Sequence, residues 1–202
     1  MQFPKTAGQC KYMLSLNSQK PIVICTGPAG SGKTMLACHV AASQITRDYG
    51  MKVVLTRPIV AADEDMGYLP GDMTKKMEPW TKPMYDIFEK YFSYNQINRC
   101  ISVEPLGYMR GRTFENTLII ADEMQNATAN QVLMLLTRVG VNTKIILTGD
   151  LEQSDLGPEN GLKELLYAMQ LHDLRYIEHT ELGKSDVVRH PAVKEVLKIL
   201  KK

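Results

Sequence analysis

The stretch GPAGSGKT, Gly27–Thr34, matches G-x-x-x-x-G-K-[ST] at every fixed position, with an apolar run before it and a helical pattern after it. That context is what a phosphate-cradling turn requires. Gly27, Gly30 and Gly32 let backbone N–H groups curl inward without a Cβ in the way, and Pro28, Ala29 and Ser31 fill the positions between them. The start of the following helix adds partial positive charge. Lys33 can reach β and γ phosphates, and the Thr34 hydroxyl suits a magnesium ion. A glycine-rich turn matching by chance would have no reason to carry both flanks. The pattern reads as nucleotide binding and leaves the chemistry after binding open.

A second pair of groups addresses that chemistry. In LIIADEMQNAT, residues 118–128, four apolar residues run into Asp122 and Glu123. Carboxylates directly after a buried strand are costly unless something cationic meets them. A magnesium ion at a phosphate cradle needs an acid from a neighbouring strand end, and Asp122 suits that task. Glu123, one residue on, faces differently and suits a base that orients and deprotonates an attacking water. Kinases take their nucleophile from the substrate, so the acid pair favours hydrolysis over transfer. The competing reading is an exposed helix N-cap pair, for which Asp is common.

DEMQ, followed by TGDLEQSD at Thr148–Asp155, resembles the D-E-x-Q and G-D-x-x-Q motifs of superfamily 1 helicases. That resemblance implies that Gln153 contacts the γ-phosphate and that Gln125 links the hydrolysis site to the nucleic-acid side. It also implies an adenine contact for Gln9, 18 residues before Gly27 in TAGQCKY. For Gln153 the alternative is a polar surface residue in a loop.

Over nearly its full length the chain resembles the PhoH-family ATPases. The resemblance is carried by GPAGSGKT, TRPIV, ADEDMGYLPGD, KMEPW, EPLGYMRGRTFENTLIIADEMQNAT, LLTRVG, KIILTGDLEQSD and SDVVRHPAV. It implies a single RecA-like domain over residues 1–202, ATP with Mg2+, and a homo-oligomeric ring, commonly a hexamer. Some relatives carry a fused nuclease domain of the PIN type, and no stretch here is left over to form one. Two-domain helicases place an arginine from the second domain against the γ-phosphate, where it neutralises charge in the transition state. With room for one domain, that arginine must come from the chain's own tail or a neighbouring subunit. Arg189 is the first candidate, then Arg138 and Arg57.

The elements that must hold these groups are short Val- and Ile-rich runs: Ile22–Thr26, Val53–Thr56, Ile101–Val103, Leu118–Ala121 and Ile145–Thr148, with a weaker one at Leu174–Glu178. Helical patterns cover residues 34–49, 82–94, 129–139, 159–171 and 192–200. Continuous apolar strands alternating with helices predict an α/β fold, a three-layer P-loop NTPase (RecA-like) with a mostly parallel central sheet. Residues 57–80, rich in proline and carrying acids at 63–65, show no clean period and read as a long functional loop. DEDMG within it fails as a calcium loop, because its glycine falls one place early and position 74 is Thr.

Composition excludes other classes. At 202 residues, 44% hydrophobic and 23% charged, the chain is long enough for one sizeable core and unlike a disordered segment. A formal charge of +2 announces no bulk nucleic-acid binder, so any such surface is local. No membrane span or export signal is read, and Cys10, Cys25, Cys38 and Cys100 lack C-x-x-C spacing, which predicts a cytoplasmic protein with reduced thiols. Arg99, Arg110 and Arg112 lie near Tyr108 and Phe114, while Lys75, Lys76 and Lys82 surround Trp80. Such mixtures suit single-stranded RNA or DNA, or are two solvated loop edges with a structural Trp. The main reading is an ATPase coupled to single strands in a helicase-like way. The alternatives are a small-molecule kinase and an ATP-binding regulatory module with little turnover.

Overall fold

The computed structural model describes residues 4–59, 73–157 and 160–200. The elements run α1 (Ala7–Asn17), β1 (Ile22–Thr26), α2 (Lys33–Arg47), β2 (Lys52–Thr56), α3 (Met73–Phe88), α4 (Tyr94–Cys100) and β3 (Ile101–Val103). They continue with β4 (Thr117–Ala121), α5 (Ala129–Leu136), β5 (Lys144–Gly149), α6 (Gly161–Met169), β6 (Ile177–Glu181) and α7 (Pro191–Leu200). The strands form one sheet of order β3-β2-β4-β5-β1-β6, and every pairing is parallel.

The apolar runs are continuous because both faces of the sheet are covered. One face packs Val23, Cys25, Leu55 and Ile120 against residues of α1, α2, α3 and α4, among them Leu16, Leu36, Phe88 and Ile97. The other packs Ile24, Val54, Ile119 and Leu147 against Met109, Phe114, Val132, Leu135 and Leu162. The result is the three-layer α/β/α arrangement that the sequence predicts. Cys25 and Cys38 lie inside this packing as small apolar groups, and burial pushes both thiols well above the ordinary range. Among the described residues no helix is long and apolar enough to cross a membrane.

Four expectations are corrected. α1 is absent from the sequence reading because its inward face, Gln9, Tyr12, Ser15 and Leu16, is half polar. Helical spacing is there, but an apolar stripe is not. α4 is too short to show a period; its Ser93–Gln96 capping box is the local signal for it. The predicted loop over 57–80 is helical from Met73 onward, with Pro79 and Pro83 inside α3. Each proline removes one backbone donor, so the sequence argued against helix; packing of Met77, Met84 and Phe88 into the core overrides that cost. The motif at 62–72 lies outside the described residues. The sixth strand is Ile177–Glu181 rather than 174–178, since this edge strand, IEHTE, is largely polar. Its side chains are matched locally: the Ser15 hydroxyl donates to Glu178 at 2.8 Å, and His179 shares a 2.8 Å hydrogen bond with Thr26. Burial of the His179 ring lowers its pKa.

α1 is fastened to the turn after β6. Thr6 caps the helix by accepting from Gln9 N at 3.2 Å and donates its own proton to Asp186 at 2.5 Å. The other Asp186 oxygen accepts from Gly183 N at 2.8 Å. A methyl on Gly8 would stand 2.6 Å from the Asp186 carboxyl carbon. Gly8→Ala would raise helix propensity by about 1 kcal/mol at an open site. Here we expect a net loss of stability in chemical denaturation, because the overlap displaces the clamp. The Thr6 hydrogen bond, with help from Gly183 and Gly8, holds the Asp186 carboxyl below its usual range. Its contribution is therefore present above the ordinary carboxylate pKa and is lost as pH falls through the lowered native value. Asp186→Asn should flatten the acid limb of the stability–pH curve below about pH 4.

Candidate functional site

β1 ends at Thr26, whose carbonyl accepts from Leu182 N at 2.8 Å, and Gly27 N donates to Gly149 O at 3.2 Å. The chain then turns sharply, with φ of +145° at Gly27 and +88° at Gly32. A Cβ at Gly27 would press on the Leu182 carbonyl, so the close approach of β6 demands glycine as much as the turn does. Gly32 caps α2 without a side-chain hydrogen bond, and the first turn of α2 carries no acid. Its leading N–H groups and positive dipole end are thus suited to an anion. Lys33 is buried, and its ammonium donates to the carbonyls of Gly27 at 2.6 Å and Pro28 at 3.2 Å. The cation is bound into the curl of the loop.

β4 brings the acids to the same place. Asp122 N donates to Thr56 O at 2.9 Å, which extends the β2–β4 ladder by one residue. Its carboxylate accepts from Thr34 Oγ1 at 2.8 Å and from Thr148 Oγ1. One oxygen therefore gathers the start of α2, the end of β4 and the end of β5. A hydroxyl paired with a carboxylate at the head of such a helix is a donor set of the kind a magnesium ion takes. Glu123 then adopts a left-handed conformation, φ +55° and ψ +36°, a costly state for a residue with a Cβ. Its carboxylate accepts from Gln125 Nε2 at 2.5 Å.

Gln125 is buried, and its two amide ends do different work. While Nε2 holds Glu123, Oε1 accepts from Asp150 N at 3.0 Å. Asp150 Oδ2 accepts from Ala29 N at 3.0 Å and from Gln153 Nε2 at 2.6 Å. Glu123, Gln125, Asp150 and the Ala29 amide of the loop thus form one hydrogen-bonded path. Asp150 is the member the sequence reading left unassigned; its signal was its place three residues before Gln153 in the G-D-x-x-Q pattern.

Gln9, the expected adenine contact, is bonded to the loop. It is 1% exposed, its Oε1 accepts from Lys5 N at 2.8 Å, and its Nε2 donates to Ser31 O at 2.9 Å. The amide thus ties α1 to the loop. The three arginines separate clearly. Arg189 donates to Ala29 O at 2.8 Å, with its Nε 2.5 Å from where a Cβ on Gly30 would lie. Arg57 lines a cavity with Asp122 and Glu123. Arg138 donates to Arg112 O and Met134 O, both at 2.9 Å, and is tied to the far side of α5.

Two cavities meet at Glu123 and Arg57. One, about 660 Å3, continues past Thr34 and Asp122 to Trp80 and Tyr91; the other, about 550 Å3, reaches Gln153 and Asp155. The basic clusters are partly balanced by acids. Arg112 pairs with Glu104 and lies over the Phe114 ring at 4.6 Å, and Lys82 faces Asp86 at 3.8 Å.

A parallel sheet with an open-ended phosphate loop after β1, and acids after β4, defines a P-loop nucleotide-binding domain of the RecA-like type. Solved structures agree on that fold. The Candida albicans Pif1 helicase matches with a TM-score of 0.51 at 12% identity, over 99% of this chain and 44% of that one. The Hef helicase domain of Pyrococcus furiosus matches with a TM-score of 0.51 at 17% identity, over 98% and 45%. The family model "PhoH-like protein" matches residues 3–201, and the chain belongs to that family. It is 39% identical to the PhoH-like protein of Bacillus subtilis (strain 168), over 96% of this chain and 62% of that protein. To the protein PhoH of Escherichia coli (strain K12) it is 37% identical, over 92% and 54%. The chain thus spans a little over half the length of these curated relatives.

The Asp150 node makes a simple expectation. Asp150→Ala removes the acceptor of two backbone N–H groups, Ala29 and Glu152, and of the Gln153 amide. We expect about 1–3 kcal/mol of destabilisation in urea unfolding, with Asp150→Asn losing less.

Proposed function

We propose that this domain hydrolyses ATP to ADP and phosphate with Mg2+. The observation that carries this reading is the single Asp122 oxygen that takes the Thr34 hydroxyl at the head of α2, with Glu123 lining the same cavity. The amides at the head of α2 bind phosphate oxygens, and Lys33 offsets their charge. Thr34 and Asp122 hold the magnesium, which when bound supplies positive charge against the phosphate oxygens. Glu123 orients the attacking water and takes its proton, and Gln125 sets the direction of that carboxylate. Gln153 stands by through Asp150 as the contact that senses the terminal phosphate.

Arg189 supplies the transition-state cation to its own chain's loop, a source supported by its hydrogen bond to Ala29. Hydrolysis is coupled to binding of single-stranded RNA or DNA in a helicase-like manner. A ring of identical chains completes the proposal, supported by the exposed apolar side chains Val193, Val196 and Ile199 of α7. The proposed setting is the cytoplasm, in keeping with four free cysteines.

Turnover measured as ADP release, without any acceptor, should fall by more than about a hundredfold in Lys33→Ala and Glu123→Gln. Nucleotide binding should survive in Glu123→Gln. Arg189→Ala should lose about tenfold or more, and mixing it with Lys33→Ala chains should restore nothing. Rescue in the mixture would move the arginine to a neighbouring subunit. Transfer of phosphate to a small hydroxyl compound without ADP release in its absence would favour a kinase.

A further inference from the structure

The 660 Å3 cavity extends beyond the residues proposed for hydrolysis. Its near end is Thr34, Asp122 and Glu123, and its far end lies between α2 and α3. There the Arg57 guanidinium sits 4.7 Å from the centre of the Trp80 ring, a stacked cation–aromatic pair. Met35, Met84 and Ile87 contribute apolar wall. Tyr91 closes it, bound through its hydroxyl to His39 Nδ1 at 2.7 Å with the two rings edge to face at 5.7 Å. Lys90 lines it as well.

We propose that this chamber takes one unstacked nucleobase of a single-stranded nucleic acid, layered on the Trp80–Arg57 pair, with Arg57 and Lys90 meeting its backbone phosphate. The proposal rests on the strand-coupled reading above and names the place where coupling occurs. The chemistry selects this occupant. Flat faces of a base match an aromatic ring and a guanidinium plane, which recognise every base alike. Apolar side chains opposite favour a body without charge, while two cations favour a ligand that carries phosphate. The His39–Tyr91 pair offers polar groups to a base edge, and burial lowers the His39 pKa, which favours the neutral ring there. The volume falls within the range of ordinary small-ligand sites, about 300–1,000 Å3.

The position explains why a strand could govern hydrolysis. Arg57 and Glu123 line this cavity and the neighbouring one that reaches Gln153. A base that shifts Arg57 therefore acts on the same wall as the proposed water-activating acid, with no long path between them.

Trp80 is the chain's single tryptophan, so its emission reports this chamber alone. The test titrates the full chain, saturated with ADP and Mg2+, with a ten-nucleotide oligouridylate and its DNA counterpart at low salt. Binding is followed by anisotropy of the labelled strand and by Trp80 emission. We expect quenching by both strands, none with an abasic strand of equal length, and roughly tenfold weaker binding of the abasic strand. Tyr91→Ala, at an exposed position, should weaken strand binding several-fold and leave ADP affinity unchanged. Strand binding with silent Trp80 emission and equal affinity for the abasic strand would overturn this site while sparing the strand-coupled reading. No strand binding at all would overturn both. Quenching by small hydroxyl compounds and not by strands would assign the chamber to an acceptor and overturn it.

Discussion

One carboxylate oxygen organises this molecule's functional end. Asp122 Oδ1 accepts hydroxyl protons from Thr34 and Thr148, while its backbone N–H is held by Thr56. Four segments, the ends of β2, β4 and β5 and the start of α2, are thereby locked to a common point. An anion at the end of a buried strand is costly to desolvate, and two hydroxyl donors meet much of that cost. The phosphate loop inherits its position from this junction, since Thr34 is its last residue.

Directly after that junction Glu123 leaves the strand in a left-handed conformation, and Gln125 holds its carboxylate by a hydrogen bond. The same glutamine reaches Asp150, and Asp150 reaches the loop amide at Ala29. The loop is thus supported from below by Asp122, from the side by Asp150, and from outside by Gln9 and Arg189. For the proposed hydrolysis a rigid cradle would matter, because donors that stand in place beforehand spare the energy of arranging them when charge develops.

The fold serves this end by its connectivity. β1 sits between β5 and β6, yet the chain leaves it for β2, crossing over β5 and β4. In open parallel sheets the crevice for ligands forms where successive connections part to opposite sides, at the carboxyl ends of the strands. Both the phosphate loop after β1 and the acids after β4 stand at that edge. The chamber beside Trp80 exists because α3 packs against α2 there, in spite of its two prolines.

Much of this was legible in the sequence for a physical reason: it lay in local patterns. Five of six strands read correctly among the described residues because each carries a Val-, Ile- or Leu-rich run that the sheet buries. The glycine-rich motif and the acid pair stand out in the sequence because their spacing is fixed within a few residues. What stayed hidden depended on contacts between distant segments. α1 shows no apolar stripe because Gln9 and Ser15 are buried against polar partners that only the folded chain supplies. The helical start of α3 contradicts its own prolines. Gln9 faces Ser31 rather than solvent, and Arg189 lies 160 positions from the loop carbonyl it meets. Sequence determined which groups could do chemistry and where the strands run. Only tertiary packing decided which donors meet which acceptors, because burial makes each unpaired polar group costly and so selects its partner across the chain.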